Sequence, residues 1–163
     1  MNNDWTNIVI AGLGGQGVLK ASDILSEAAF KAGFDVKKSE VHGMSQRGGS
    51  VFSDVRFGKK IYSPVIPIGE TDYLLILEAT QSEINRPRLK QGGILLDPKM
   101  LESITLSNPK TLNTGMLGIL SIKLEKIPED AWIHAIRMHL PEKHLSINLE
   151  AFESGRKAGK ENK

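Results

Sequence analysis

The chain of 163 residues contains no cysteine. That absence excludes a disulfide framework, a thiolate nucleophile and a cysteine-ligated iron–sulfur cluster held by this chain. A surplus of one charge is missing too: 21 basic residues against 19 acidic leave a formal +2. That is too little for the electrostatic footprint of a nucleic-acid or anionic-membrane surface. No apolar run approaches the roughly 18 residues of a membrane span, and Met1-Asn2-Asn3-Asp4-Trp5-Thr6 lacks the basic and apolar parts of a secretion signal. A soluble cytoplasmic protein is expected. Also absent are a nucleophile elbow, a paired-carboxylate set and zinc-ligand spacing. His134, His139 and His144 stand without acidic or cysteine companions at metal spacing, so they read as surface or packing residues and no metal site is expected.

What the chain does have is an apolar stretch, Ile8-Val9-Ile10-Ala11, running into Gly12-Leu13-Gly14-Gly15-Gln16-Gly17 and then into an amphipathic pattern. The glycines match G-x-G-x-x-G between a strand and a helix. Gly12 suits a tight turn, Gly14 a close approach of ligand to backbone, and Gly17 close packing of helix on strand, with helix N–H groups left to face a phosphate. A turn that binds nothing has the same spacing. A P-loop is excluded, since Val18-Leu19 stand where Lys and Ser/Thr are needed.

Val18, Ala21, Leu25, Ala28, Ala29 and Ala32 recur at helical spacing up to Gly33. A half-buried strand is expected over 34–41, and one with a single wet side over 51–57, carrying Phe52, Asp54 and Arg56 on that side. Tyr73-Leu74-Leu75-Ile76-Leu77 suits a parallel strand covered on both faces. A helix should follow to about Leu89, then a short strand Ile94-Leu95-Leu96. The alternation predicts an α/β fold, a Rossmann-like, doubly wound, mostly parallel sheet. The last third is helical, with patterns over 113–125, 129–139 and 142–152 set off by Pro128 and Pro141. Gly115 and Gly118 each weaken their helix by about 1 kcal/mol relative to alanine, which marks close approach of another backbone or plain helix–sheet packing. A single domain over 1–155 is expected, with a basic, solvated tail over 156–163.

The irregular stretch from His42 to Gly49 follows the second strand and should open on the ligand side of the sheet, facing the glycine turn. Arg47, beside Gly48 and Gly49, suits gripping a phosphate or carboxylate; clamping a neighbouring loop is the other reading. Glu40 lies about twenty residues past the turn, where a dinucleotide-binding protein places an acid on the ribose. His42 could move a proton or hold the loop by hydrogen bonds. Glu78 and Asp97 each end a strand and either point into the crevice or cap the next turn or helix.

Three segments in order, Gly12 to Gly17, Glu40-Val41-His42-Gly43-Met44-Ser45-Gln46-Arg47-Gly48-Gly49-Ser50-Val51, and Ile147-Asn148-Leu149-Glu150-Ala151-Phe152-Glu153-Ser154-Gly155, resemble the small, gamma-type subunits of the 2-oxoacid:ferredoxin oxidoreductases. His42-Gly43-Met44-Ser45-Gln46 is similar to the indolepyruvate branch. The resemblance covers almost the whole chain and implies an enzyme subunit of the EC 1.2.7 type. The reaction it implies turns a 2-oxoacid, coenzyme A and oxidised ferredoxin into acyl-CoA, carbon dioxide and reduced ferredoxin. It further implies thiamine diphosphate and iron–sulfur clusters on a larger alpha subunit, with this chain inactive alone and covering the partner's active site. Gly12, Gly14, Gly15, Gln16, Gly17, Arg47, Gly48 and Gly49 would then contact coenzyme A or the thiamine site, with Glu40 and His42 as catalytic candidates. Self-association of the isolated chain through the partner-facing surface is left open. Two other readings stand beside it: a free NAD-dependent oxidoreductase, and a nucleotide- or acyl-CoA-binding regulatory module.

Overall fold

The computed structural model describes residues 4–42 and 48–162, with the side chain of His42 outside that description. Its centre is β1 (Trp5–Leu13), whose Ile8, Val9, Ile10 and Ala11 are wholly buried. A strand apolar on both sides must be covered on both sides, which places it inside a sheet. The helix α1 (Val18–Lys31) follows, then β2 (Asp35–His42), β3 (Ser50–Gly58), β4 (Thr71–Ile76), the short α2 (Gln81–Asn85) and β5 (Leu89–Leu96). The chain closes with α3 (Leu112–Lys123), α4 (Glu129–His139) and α5 (Glu142–Glu161). This is the α/β architecture with the expected helical last third.

The sheet order is β2-β3-β1-β4-β5. β4 lies parallel to β1 and β5 parallel to β4, whereas β3 runs antiparallel to both β1 and β2. Four strands therefore share one direction and β3 alone is reversed. The cause is chain length: only residues 43–49 link β2 to β3, and a parallel return needs a crossover of a dozen residues or more.

The two faces are unequal. On one, Ile8, Ile10, Val55, Phe57 and Leu75 pack under α1, α3, α4 and α5 around Trp132 and Phe152. On the other, Val9, Ala11, Leu74 and Ile76 are covered mainly by Ile66, from the helix-free segment between β3 and β4, with Phe52, Leu89 and Leu95 beside them. The wet side expected for 51–57 is thus covered: Asp54 is only 4 % exposed and accepts from the Ile66 amide at 2.9 Å. The helix expected to reach Leu89 stops at Asn85, because Pro87 lacks an N–H and its ring would strike the preceding turn. Residues Arg86–Arg88 tighten into a 3-10 turn, and β5 starts at Leu89.

The tail expected from Arg156 onward is instead the end of α5, which runs to Glu161 with Ala158 fully buried. Arg156 pairs with Glu129 at 3.2 Å and donates to Ser121 at 2.9 Å. Small residues make this contact: a Cβ on Gly118 would land on the Phe152 carbonyl, and one on Gly155 on the Gly115 carbonyl. Of the two readings, close backbone approach is realised at Gly118, whereas a Cβ on Gly115 would first meet the Leu101 side chain at 3.1 Å. Among the described residues no helix is long and apolar enough to cross a membrane.

Candidate functional site at the carboxyl edge of the sheet

β1, β2, β4 and β5 all end at one edge, where reversed β3 begins. Gly12 pairs with Val51 and Leu13 with Ser50, so the glycine turn and the start of β3 lie side by side. The Gly14 amide donates to the Gly49 carbonyl at 2.9 Å, fastening the turn to the second glycine pair. The expected meeting of Gly12 to Gly17 with Gly48 and Gly49 is therefore present. Arg47, with Gly43, Met44, Ser45 and Gln46, lies outside the described residues.

Each glycine serves differently from its textual position in the motif. Gly12 is still inside β1 and makes no turn; a Cβ there would meet the Gln16 Oε1 at 2.9 Å and the Leu77 Cβ at 3.2 Å. The turn falls to Gly14, Gly15 and Gln16, with Gly15 at φ 89° and Gly17 at φ 81°, conformations that L side chains rarely adopt. Gly17 is pressed by Asn113 of α3, whose amide donates to the Gly17 carbonyl at 3.3 Å.

The Gln16 side chain folds back into the turn. Its Oε1 accepts from the Leu13 amide at 2.7 Å while its Nε2 donates to Glu78 Oε2 at 2.9 Å. Gln16 is thus a brace within the turn, and it recruits Glu78 from the end of β4. Asn113 was not visible as a site residue in the sequence, since its contact spans 96 positions. It continues into a buried network: the Thr114 amide donates to Asn113 Oδ1 at 2.9 Å, and the Thr114 hydroxyl to Asn148 Oδ1 at 2.7 Å. Asn148 belongs to the third segment of the family resemblance.

Other candidates fall elsewhere. Glu40 sits on outer strand β2, ion-paired with Lys38 at 2.7 Å, and β3 separates it from β1. It therefore lacks the place beside β1 from which an acid would reach a ribose bound at the turn, and this weakens the NAD reading. His42 ends β2 opposite Val51. Asp97 caps the 3-10 turn Pro98–Leu101 by accepting from the Lys99 amide at 2.9 Å. Among the described residues no cluster of three or more His, Asp or Glu could hold a metal.

Chemically the edge suits an anion in one respect: α1 begins at Gly17 with no side-chain cap and no acidic residue in its first turn. Its orphan N–H groups and dipole favour negative charge. Among the described residues nothing lies within 4 Å of the Gly15 Cβ position, so backbone there can be approached closely. Glu78 is the opposing charge, and Gln16 holds it.

A family model described as pyruvate ferredoxin/flavodoxin oxidoreductase matches residues 7–101. The chain is 34% identical to the indolepyruvate oxidoreductase subunit IorB of Thermococcus kodakarensis, over 95% of this chain and 96% of that one. In fold it is similar to the gamma subunit of a keto/oxoacid ferredoxin oxidoreductase from Geobacter sulfurreducens PCA, with a TM-score of 0.79 at 22% identity, over 96% and 99% of the two chains. It is also similar to one-third of a larger chain. The 2-oxoglutarate:ferredoxin oxidoreductase from Magnetococcus marinus, solved with 2-oxoglutarate, coenzyme A and succinyl-CoA bound, matches with a TM-score of 0.82 at 20% identity, over 98% of this chain and 32% of that one.

Proposed function

The chain belongs to the pyruvate ferredoxin/flavodoxin oxidoreductase family, and on that footing we propose that it is the cluster-free subunit of a 2-oxoacid:ferredoxin oxidoreductase acting on indolepyruvate and related arylpyruvates. The overall reaction would be oxidative decarboxylation of the 2-oxoacid to an acyl-CoA with reduction of ferredoxin. With no cysteine anywhere in the sequence, iron–sulfur clusters belong to a larger alpha subunit. Thiamine diphosphate would be held by that partner as well, where it would supply the electron sink for loss of carbon dioxide.

This chain's part is to cover the partner's active site with its carboxyl edge. The observation that carries the reading is the fastening of Gly14 to Gly49 beside an uncapped helix start. The first turn of α1 beside that bond offers its backbone N–H groups to a phosphate of entering coenzyme A, with Arg47 as the added cation. Docking there would exclude water from a reactive intermediate on the partner. Likeness to a relative named for indolepyruvate over nearly the full length of both chains favours the arylpyruvate branch.

The test is to co-express the chain with the large subunit and to assay indolepyruvate, phenylpyruvate, pyruvate and 2-oxoglutarate with coenzyme A and a viologen dye. Activity confined to the complex and highest on arylpyruvates is expected. Turnover by the lone chain, or a preference for 2-oxoglutarate, would overturn the proposal.

A further inference from the structure

On the thinly covered face of the sheet, beside the start of β3, lies a cavity of about 220 Å³ bounded by Val41, Phe52, Gln81, Ile84, Asn85 and Arg88. It is below the roughly 300–1,000 Å³ of sites for drug-sized ligands, so its occupant is small. Arg88 lies flat on the Phe52 ring, 3.7 Å from its centroid, with its side chain 20 % exposed. Stacking of this kind fixes the guanidinium plane while leaving its edges free to donate.

Behind Arg88 is the buried Asp54, at 4.0 Å. That is too long for a hydrogen bond, and Asp54 Oδ1 has no donor. Among the described residues no acceptor lies within hydrogen-bonding range of the Arg88 guanidinium. Arg56 also faces Asp54, but it is spent on Asn7 Oδ1 and the carbonyls of Ser63 and Val65. Two guanidiniums thus meet one carboxylate, and the cluster has a net charge of one positive unit. The open edges of the Arg88 guanidinium face the cavity, and a carboxylate bound there would supply the acceptor that Asp54 stands too far away to give.

The other walls define the rest of the ligand. Gln81, 4 % exposed, carries an Oε1 without a partner, an acceptor for an N–H or O–H on the ligand body and not for its carboxylate, while the Asn85 amide is already spent on the Gln81 carbonyl at 2.8 Å. Buried amides of this kind are ordinarily satisfied. Val41 and Ile84, 45 % and 64 % exposed, form an apolar rim with no polar group to offer. A single planar cation at one end and an apolar mouth at the other describe a carboxylate attached to a hydrocarbon or aryl body.

We propose that this cavity is a binding site for a small monocarboxylic acid with an apolar or aromatic body, its carboxylate on Arg88 and its body between Val41 and Ile84.

The experiment is calorimetric and NMR titration of the purified full chain with indole-3-acetate and 3-methylbutanoate, against indole, acetate and inorganic phosphate. Saturable binding of the two acids with Kd on the order of 1 mM is expected for ligands this small, and at least about tenfold weaker binding of the other three. Arg88→Gln should weaken acid binding about tenfold, since a charge-assisted pair is lost. Ile84→Asp, at a rim position too exposed to disturb folding, should do the same by placing a like charge at the mouth. Unchanged affinity in the folded variants, phosphate binding as tightly as indole-3-acetate, or no saturable binding of either acid would overturn the site.

Discussion

Asn113 at the start of α3 donates its side-chain amide to the carbonyl of Gly17, joining the glycine turn to the helical third of the chain. Through Thr114 and Asn148 the same network reaches the His144 carbonyl on α5. Asn113→Ala should therefore leave the sheet intact and loosen the turn. A loss of about 2 kcal/mol in urea unfolding is expected, because the Gly17 bond and the one accepted from the Thr114 amide both go, with faster amide exchange at residues 14–17 as the local readout.

Gly118 and Gly159 both face a neighbouring helix, yet they should respond to alanine very unequally. At Gly118 the new methyl would collide with the Phe152 carbonyl and lie 2.9 Å from the Arg156 amide, which is backbone and cannot rotate away. Gly118→Ala should cost about 2 kcal/mol or more. At Gly159 the methyl would meet the Ile122 side chain at 3.2 Å and the Ile119 backbone at 3.3 Å, a shift of a few tenths of an ångström that the helix preference for alanine, up to about 1 kcal/mol, largely offsets. Paired thermal unfolding of the two variants checks the contrast.

Burial pushes the Asp54 carboxyl above the usual carboxylate range, against the lowering pull of the Ile66 N–H and of Arg88 and Arg56. An acid whose folded value is raised loses its share of stability as pH climbs from the ordinary value near 3.8 through that raised value. Asp54→Asn does not ionise and keeps an acceptor for Ile66. It should match the wild type at pH below 4 and exceed it at pH 7, read as the urea midpoint across that range. Equal midpoints at both pH values would remove Asp54 as the source.

Gly15 separates charge from strain. Its φ of 89° strains any side chain, yet among the described residues nothing lies within 4 Å of the Cβ position. Gly15→Ala and Gly15→Asp should share the strain, of order 1 kcal/mol. Only the aspartate sets a negative charge against an incoming phosphate. In the assembled enzyme the KM for coenzyme A should rise roughly tenfold more in the aspartate variant than in the alanine one.

Arg47→Ala should leave the chain folded, with an unchanged melting temperature, and raise the coenzyme A requirement of the complex or abolish turnover. Wild-type kinetics would take Arg47 out of the site.

The strand–turn–helix at Gly12 to Gly17, the limits of α4 and the backbone approach at Gly118 were legible because each rests on local pattern: an apolar run, a proline start, a glycine where packing is tight. The reversal of β3 was also written in the chain, since seven residues between β2 and β3 cannot hold a crossover. Residue types alone concealed it, because Val51 to Phe57 reads the same in either direction. Burial of Asp54 was illegible for a different reason. Its cover is Ile66, supplied by a segment with no periodicity of its own. The bracing of Glu78 by Gln16 and of Gly17 by Asn113 depends on contacts 62 and 96 positions apart, and no spacing rule reaches so far.

The hairpin of β2 and β3 is held by eight consecutive partner pairs, from Asp35 with Gly58 to His42 with Val51. Both stumps of the connecting peptide are thereby clamped in register before that peptide contributes anything. Cassettes of differing sequence can then be exchanged between these stumps, as binding loops are exchanged on an antibody framework, with the sheet indifferent to the insert. Substitutions within residues 43–47 should accordingly cost the sheet little folding energy.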